Sequence, residues 1–416
     1  MTQSVSPFSY QGKLSVPYSK SYLQRAIAIG LLSKDEVTIK GFTPGNDALA
    51  ARSIAEELGA KTSLSGDVLS MSFQGNPAKV VAINCGESGL STRMFSPIAA
   101  SLFERTIIDG EGSILVRPMD MVIDALEKLG ATVQSQNAKL PLHVTGKIQS
   151  GTIEIDGSES SQLLTGLLVA LSFIPGESTI HVHNLKSIPY VQMTLDILEA
   201  FGVKVTHENF QTFCIPEVSL ASKERFYKVE GDWSGASFHV VGAAMSGEIA
   251  LSGLNPESAQ ADQAIVDAVK LAGANVAWID NVLHVSQGDK KAFEFDATHS
   301  PDLFPPLAAM AAACEGTSVF KGVSRLASKE SDRGLTIQSE MKKLGIDVEL
   351  NGDEMRVTGG KIKATTIDSN NDHRIAMMAG ILATLSNESI QIADAQAINK
   401  SYPGFFKDLE KIAMKA

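Results

Sequence analysis

The chain has 416 residues, a net charge of −11, 44% hydrophobic and 20% charged content. These values exclude a disordered or low-complexity chain and allow two domains at about 100–200 residues each. The acidic balance argues against a broad nucleic-acid or anionic-membrane surface but leaves room for a local basic pocket. The three cysteines, Cys85, Cys214 and Cys314, form no CxxC or Cys/His cluster. Neither a disulfide framework nor a zinc site is indicated, and a reducing cytoplasm is expected. Residues 1–10 lack a basic region followed by an apolar one, so no secretory signal is expected. The apolar helices run to about 13–15 residues, short of the ~20 that span a bilayer.

The first strong element is a helix from Lys20 to Leu32, with Ser19 or Ser21 as its cap. Lys20 and Arg25 stand at its start, where the helix dipole favours acids, so both cations call for an anion. Further along, amphipathic helices end in Gly59, Gly130, Gly202, Gly273 and Gly345, each followed by a β-leaning run. Each glycine suits the left-handed residue just past a helix. Their steps of 71, 72, 71 and 72 residues define a repeat, and a sixth unit closes on the helical run Phe405 to Met414. A second, more apolar helix recurs near Lys20, Ser91, Ser160, Ser234, Pro301 and Asp372. Between the helices lie β-branched runs beginning at Val37, Thr152, Ser178 and Ser389. The unit reads as strand–helix–strand–helix–strand, six times, in a mixed α/β (α+β) chain. Three units per lobe put the boundary between the third and fourth units, near Val229 and Glu230.

The special residues gather at the starts of the second-type helices: Lys20, Ser21 and Arg25; Gly86 to Arg93; Gly157 to Gln162; Gly231 to Ser234; His299 to Asp302; Asn370 to Arg374. Arg25, Arg93 and Arg374 are expected at equivalent first-turn positions, against the dipole. Arg117-Pro118 leads into the helix ending at Gly130. The run Ser328-Lys329-Glu330-Ser331-Asp332-Arg333 is expected to open the helix ending at Gly345, with Lys329 and Arg333 on one face. If these helix starts converge, they make a cationic cleft that needs a polyanionic ligand. Neither a GxxxxGK[ST] loop nor a strand-linked GxGxxG is present, which weighs against a nucleotide kinase or a dinucleotide dehydrogenase.

At these residues the chain resembles the 5-enolpyruvylshikimate-3-phosphate synthase (3-phosphoshikimate 1-carboxyvinyltransferase) family. The carrying motifs are Ser19-Lys20-Ser21 with Arg25, Gly89 with Arg93, Arg117-Pro118, Ser160-Ser161-Gln162, Ser187 with Tyr190, Lys329 to Arg333, Asn371 to Arg374 and Lys400 to Pro403. The resemblance implies the enolpyruvyl transferase fold: two similar lobes, each of three βαβαββ units forming an inside-out α/β barrel. Residues 18–229 would make one lobe, and residues 1–17 with 230–416 the other, the N-terminal strand crossing over. It implies transfer of the enolpyruvyl group of phosphoenolpyruvate to the 5-hydroxyl of shikimate 3-phosphate, with release of phosphate. No metal or organic cofactor, nucleic acid or membrane is implied, and a cytoplasmic monomer is expected.

The resemblance further implies that shikimate 3-phosphate is held by Lys20, Ser21, Arg25, Ser160, Ser161, Gln162, Ser187, Tyr190, Asp302 and Lys329. Phosphoenolpyruvate would be held by Lys20, Gly89, Arg93, Arg117, Gln162, Arg333, Arg374 and Lys400. Lys20, Asp302, Glu330, His373 and Lys400 are the expected catalytic set, with Asp302 as base toward the hydroxyl and Glu330 as acid toward the methylene. The sister family acting on UDP-N-acetylglucosamine carries Lys-Asn near the N-terminus and a loop cysteine. Ser21 and Gly112 stand at those places here. A binding module that keeps sugar-phosphate affinity without turnover is the reading from another class. Tyr18, Glu87, Leu90 and Met94, and the stretch Leu326 to Ser328, depart from the family's usual pattern.

Overall fold

The computed structural model describes residues 1–217, 224–327 and 329–415, so Ser328 lies outside the described residues. The chain divides into two compact units, Tyr18–Val229 and Met1–Pro17 with Glu230–Ala416.

In the Tyr18–Val229 unit the helices are α1 (Lys20–Ser33), α2 (Asn46–Glu57), α3 (Gly89–Leu102), α4 (Asp120–Lys128), α5 (Gln162–Leu171) and α6 (Ile188–Ala200). Three four-stranded sheets share one plan: a parallel pair, then a strand antiparallel to the second of the pair, then a hairpin partner. Thr152–Asp156 runs parallel to Ser178–His183 through α5, and α6 leads to the hairpin Thr206–Glu208 and Thr212–Ile215. The second sheet repeats this with α3 and α4. In the first sheet the outer parallel strand is supplied by Glu224–Lys228, which returns from the far end of the unit to lie beside Glu36–Lys40. The repeat therefore ends in a hairpin, one strand more than the strand–helix–strand–helix–strand reading allowed. In the third repeat the hairpin is the least legible, because Thr206–Glu208 has three residues, mostly exposed.

The other unit holds α7 (Trp233–Met245), α8 (Ile265–Leu271), α9 (Phe304–Ala312), α10 (Arg333–Lys343), α11 (His373–Leu382) and α12 (Phe405–Ile412). Two of its sheets follow the same four-stranded plan, and the N-terminal segment supplies a strand to one of them, to a three-stranded sheet and to a two-stranded sheet. Lys13–Ser15 lies parallel to Glu248–Ser252, Gln3–Val5 antiparallel to Ile390–Ala393, and Phe8–Tyr10 antiparallel to Ala413–Lys415.

The five repeat glycines all have positive φ, between 84° and 110°. Each follows a helix whose apolar face is buried, as a left-handed stop requires. The second-type helices are buried nearly all round. In α1 every residue from Tyr22 to Ser33 is buried, and in α9 every residue is. Helices apolar on all sides belong inside a core rather than on its surface. Packing is close enough to exclude a Cβ at Gly166, which would sit 2.7 Å from the Met94 carbonyl, so α5 rests backbone-to-backbone on α3.

Two local readings are corrected. Helix α10 begins at Arg333, not near Ser328, because Asp332 caps it by accepting from Leu335 N at 3.2 Å. Lys329 and Glu330 precede the helix and share no helical face with Arg333. Arg25, Arg93 and Arg374 are likewise not equivalent: they follow their caps Ser19, Ser88 and Asp372 by six, five and two residues. Only Arg374 lies in a first turn.

Candidate active site

The Tyr18–Val229 unit gathers its cations around the starts of α1, α3, α5 and α6. Ser19 caps α1, accepting from Tyr22 N, which fixes Lys20 as the first helical residue. The Lys20 ammonium pairs with Asp47 Oδ2 at 2.8 Å, from the first turn of α2. Gln24, fully buried, ties three helix starts together: its Nε2 donates to Ser88 Oγ at 3.0 Å, Ser91 Oγ at 2.8 Å and the Asp47 carbonyl at 3.3 Å.

Arg25 is 1% exposed, yet its acceptors are all neutral. It donates to Thr194 Oγ1 at 3.0 Å, the Ser21 carbonyl at 2.9 Å, the Tyr190 carbonyl at 3.2 Å and Thr165 Oγ1 at 3.4 Å. Burial pulls its pKa down to about 10, against weaker opposition from Tyr22, Tyr190 and Tyr227. A buried cation compensated only by dipoles is suited to an incoming anion. Ser187, in the left-handed conformation, opens α6 and accepts from Tyr190 N at 3.1 Å, so Arg25 and this turn brace one another. Ser161 occupies the N-cap position of α5 without a side-chain cap bond, and Ser160 Oγ accepts from Gln162 N at 3.2 Å.

A second cluster joins Gly89, Arg93, Arg117 and Gln162. Arg93 Nη1 donates to Gln162 Oε1 at 3.2 Å, a contact set up by the α3–α5 approach at Gly166. A Cβ on Gly89 would lie 2.7 Å from Arg117 Nη1 and 3.1 Å from Arg93 Nη1, so only glycine leaves the two guanidinium groups their places. Burial and then the Arg117 charge lower Arg93 to about 9, with Glu159 opposing. Two like charges held together in a half-dry setting again favour an anion.

The other unit builds a denser cluster around Arg333, whose side chain is 0% exposed. Its Nη1 meets Asp302 Oδ1 at 2.8 Å and its Nε meets Asp372 Oδ2 at 2.8 Å, while Nη2 pairs with Glu330. Asp302 is further held by Arg374 Nη2 at 2.8 Å and Lys329 Nζ at 3.5 Å. Burial alone would raise the Asp302 pKa, but Arg374, Lys329 and Arg333 outweigh it and hold the carboxyl well below the usual range. Burial lowers Lys329, with Asp302 opposing. Arg374 Nη1 donates to His373 Nε2 at 2.7 Å, which leaves the ring proton on Nδ1, 3.9 Å from Asp372 Oδ1. Lys400 donates to the Asn371 carbonyl at 2.7 Å. Lys329 and Arg333, expected on one helix face, thus come together through Asp302 instead, and Glu330 joins them through Arg333. This cluster is charge-compensated rather than strongly cationic, since Asp302, Glu330 and Asp372 face Lys329, Arg333 and Arg374.

The sequence reading assigned no role to Asp47, Gln24, Ser234, Asp262 or Asp372. Asp47 and Asp372 look like ordinary first-turn and capping acids in sequence, and nothing local marks their cationic partners. Four departures from the family pattern have packing explanations. Tyr18 OH donates to Asp67 Oδ2 at 2.9 Å, Glu87 accepts from Ser113 N at 3.0 Å, and Leu90 and Met94 are buried. Among the described residues no group of three or more His, Cys, Asp or Glu side chains could hold a metal ion.

Residues 6–409 match the sequence profile of a family described as EPSP synthase (3-phosphoshikimate 1-carboxyvinyltransferase). A 3-phosphoshikimate 1-carboxyvinyltransferase from Thermococcus kodakarensis is 36% identical, covering 97% of this chain and 97% of that one. Another from Clostridium novyi is 33% identical, covering 98% and 96%. Among solved structures, EPSP synthase from Acinetobacter baumannii superposes with a TM-score of 0.82 at 25% identity, covering 100% and 98%. The enolpyruvyl transferase NikO from Streptomyces tendae shares the fold, with a TM-score of 0.79 at 16% identity over 99% and 97% of the two chains. With the profile matched almost end to end and relatives above 30% identity across their full length, this chain belongs to the EPSP synthase (3-phosphoshikimate 1-carboxyvinyltransferase) family.

Proposed function

We propose that the chain transfers the 1-carboxyvinyl group of phosphoenolpyruvate to the 5-hydroxyl of shikimate 3-phosphate, releasing phosphate, in the pathway that leads to chorismate and the aromatic amino acids. The observation that carries this reading is the buried Arg333 with Asp302 and Glu330 on its guanidinium, beside Arg374 and Lys329. Two carboxylates on one arginine suit a reaction that removes one proton and adds another.

In this reading Ser21, Arg25, Ser160, Ser161, Ser187, Tyr190 and Lys329 hold shikimate 3-phosphate, with Lys20, Gln162 and Asp302 also touching it. Gly89, Arg93, Arg117, Gln162, Arg333, Arg374, Lys20 and Lys400 take phosphoenolpyruvate, and His373 supports Arg374. Asp302 accepts the 5-hydroxyl proton as that oxygen bonds to C2 of phosphoenolpyruvate, and Glu330, with Lys20 assisting, protonates C3. The tetrahedral adduct then loses a C3 proton and expels phosphate, restoring the double bond. Asp302 is a weak base while three cations hold it. Lys329 and Arg374 are among the groups assigned to substrate anions, so binding draws them off and raises its proton affinity.

The chain acts as a cytoplasmic monomer in this proposal, without nucleic acid or membrane. Its acidic balance argues against a nucleic-acid or anionic-membrane surface, and no described helix is long and apolar enough to cross a membrane. A phosphate-release assay with both substrates tests the reaction. Release that depends on shikimate 3-phosphate is expected. Release only with a UDP-sugar acceptor would assign the chain to the sister activity, and tight binding without release would make it a binding module.

A further inference from the structure

Asp262 lies in the 3-10 turn Ala261–Ala264 that leads into α8, is 3% exposed, and has no part in the reaction scheme above. Its carboxylate is hydrogen-bonded by Ser234, the second residue of α7. The Ser234 oxygen in turn accepts from Arg374 Nη2 at 2.8 Å. The same Nη2 lies 2.8 Å from Asp302 Oδ2. A guanidinium only donates, so Ser234 must offer it a lone pair, and Asp262, by taking the hydroxyl proton, keeps that lone pair turned toward Arg374. His373 Nε2 holds Nη1 at 2.7 Å and Asp302 holds Nη2. The Ser234 contact supplies a third fixed point, a neutral one, on Nη2.

We propose that Asp262 is a positioning residue which, through Ser234, orients the Arg374 guanidinium toward the phosphoenolpyruvate anion. The inference rests on the assignment of Arg374 to that substrate. The groups that face Asp262 are Asp302 from the turn before α9, Arg374 from α11, and Asp232 and Ser234 from the start of α7. Burial first, then the Asp302 and Asp232 carboxylates, push its pKa up, while Arg374 and Ser234 hold it back, leaving it at about 7. When Asp262 is ionised it accepts from Ser234 and the bridge points at Arg374. When it is protonated its own O–H competes for the Ser234 oxygen, and the bridge to Arg374 weakens.

Steady-state kinetics of the full chain at pH 6 and pH 8 test this in Asp262→Asn, Ser234→Ala and the double variant. At pH 8 each single variant is expected to raise KM for phosphoenolpyruvate about tenfold, the worth of a hydrogen bond to a charged group. KM for shikimate 3-phosphate and kcat should stay within about threefold. The double variant should match the singles, because both break one bridge. At pH 6, below the raised pKa of Asp262, the penalty of Asp262→Asn should shrink. Additive effects, a penalty equal at both pH values, or matching rises in the two KM values would overturn the proposal. Should Asp262→Asn not fold, Ser234→Ala alone decides: an unchanged KM for phosphoenolpyruvate refutes it. A wild-type chain that releases no phosphate would instead refute the proposed reaction, so the two failures are distinguishable.

Discussion

Lys20 occupies the first helical position of α1, where the dipole disfavours a cation by about 0.3–1 kcal/mol. Its salt bridge to Asp47 offsets that in the unliganded protein and keeps the ammonium at the helix start. Lys20→Met should lower kcat/KM by about 10²-fold or more if Lys20 assists proton transfer. A variant within about threefold of wild type would remove Lys20 from the chemistry, and a thermal melt separates that outcome from loss of the Asp47 partner. Glu330 is one of three carboxylates on Arg333, so Glu330→Gln leaves Arg333 paired with Asp302 and Asp372. Turnover should fall about 10²-fold or more while the Kd for shikimate 3-phosphate, measured calorimetrically, moves less than about threefold. Equal losses in both would make Glu330 a structural partner of Arg333 and nothing more.

Helix α7 shows how a buried element couples to the site without carrying its chemistry. His239, 0% exposed on α7, lies with its Nε2 3.1 Å from Tyr402 OH and its Nδ1 3.5 Å from Tyr10 OH. Tyr402 gives its proton to Asp408 Oδ2 at 2.8 Å, so His239 must donate from Nε2 and accept at Nδ1, as a neutral ring. Tyr402 lies two residues beyond Lys400, and the network pins that turn to α7. Burial lowers His239 to about 4. A base with a depressed folded pKa binds its proton in the unfolded state first, so stability is lost as pH falls from about 6.5 toward 4, by up to ~1.4 kcal/mol per pH unit. Urea titrations at pH 4.5, 5.5 and 7 should show this slope, and His239→Gln should reduce it. An identical slope in the variant would exclude His239 as its source.

On the scale of the whole molecule, the unit formed by residues 230–416 is incomplete without residues 1–17. The N-terminal segment adds strands to three of its sheets and buries Phe8, Tyr10 and Leu14 in its core. At about 1.5–3 kcal/mol for each such side chain, removing residues 1–15 forfeits an amount comparable to the ~5–15 kcal/mol that holds a typical domain folded. The truncated chain should therefore lose the cooperative unfolding of that unit in urea. An unchanged midpoint would show that the crossover strands are dispensable. Glu224–Lys228 performs the same closing duty for the first sheet of the Tyr18–Val229 unit.

What the sequence determined by itself is local or periodic. A glycine past a helix can be read from the residues within one turn of it, and five of them at 71- and 72-residue steps disclose the repeat. Likewise a serine cap, at Ser19 or Ser21, and α1 as a buried helix follow from side-chain chemistry within about a dozen residues, and the structure chose Ser19. The site residues were nameable through resemblance, because a family's motifs travel with the chain, but resemblance carries no geometry. Only the tertiary structure decided that Arg333 joins Asp302, Glu330 and Asp372, which stand 31, 3 and 39 residues away. Only it put Asp262 behind Ser234 and Asp47 on Lys20. Those partnerships arise when strand pairing and burial press distant segments together, and a buried charge must then find its counter-ion among whatever groups the fold delivers.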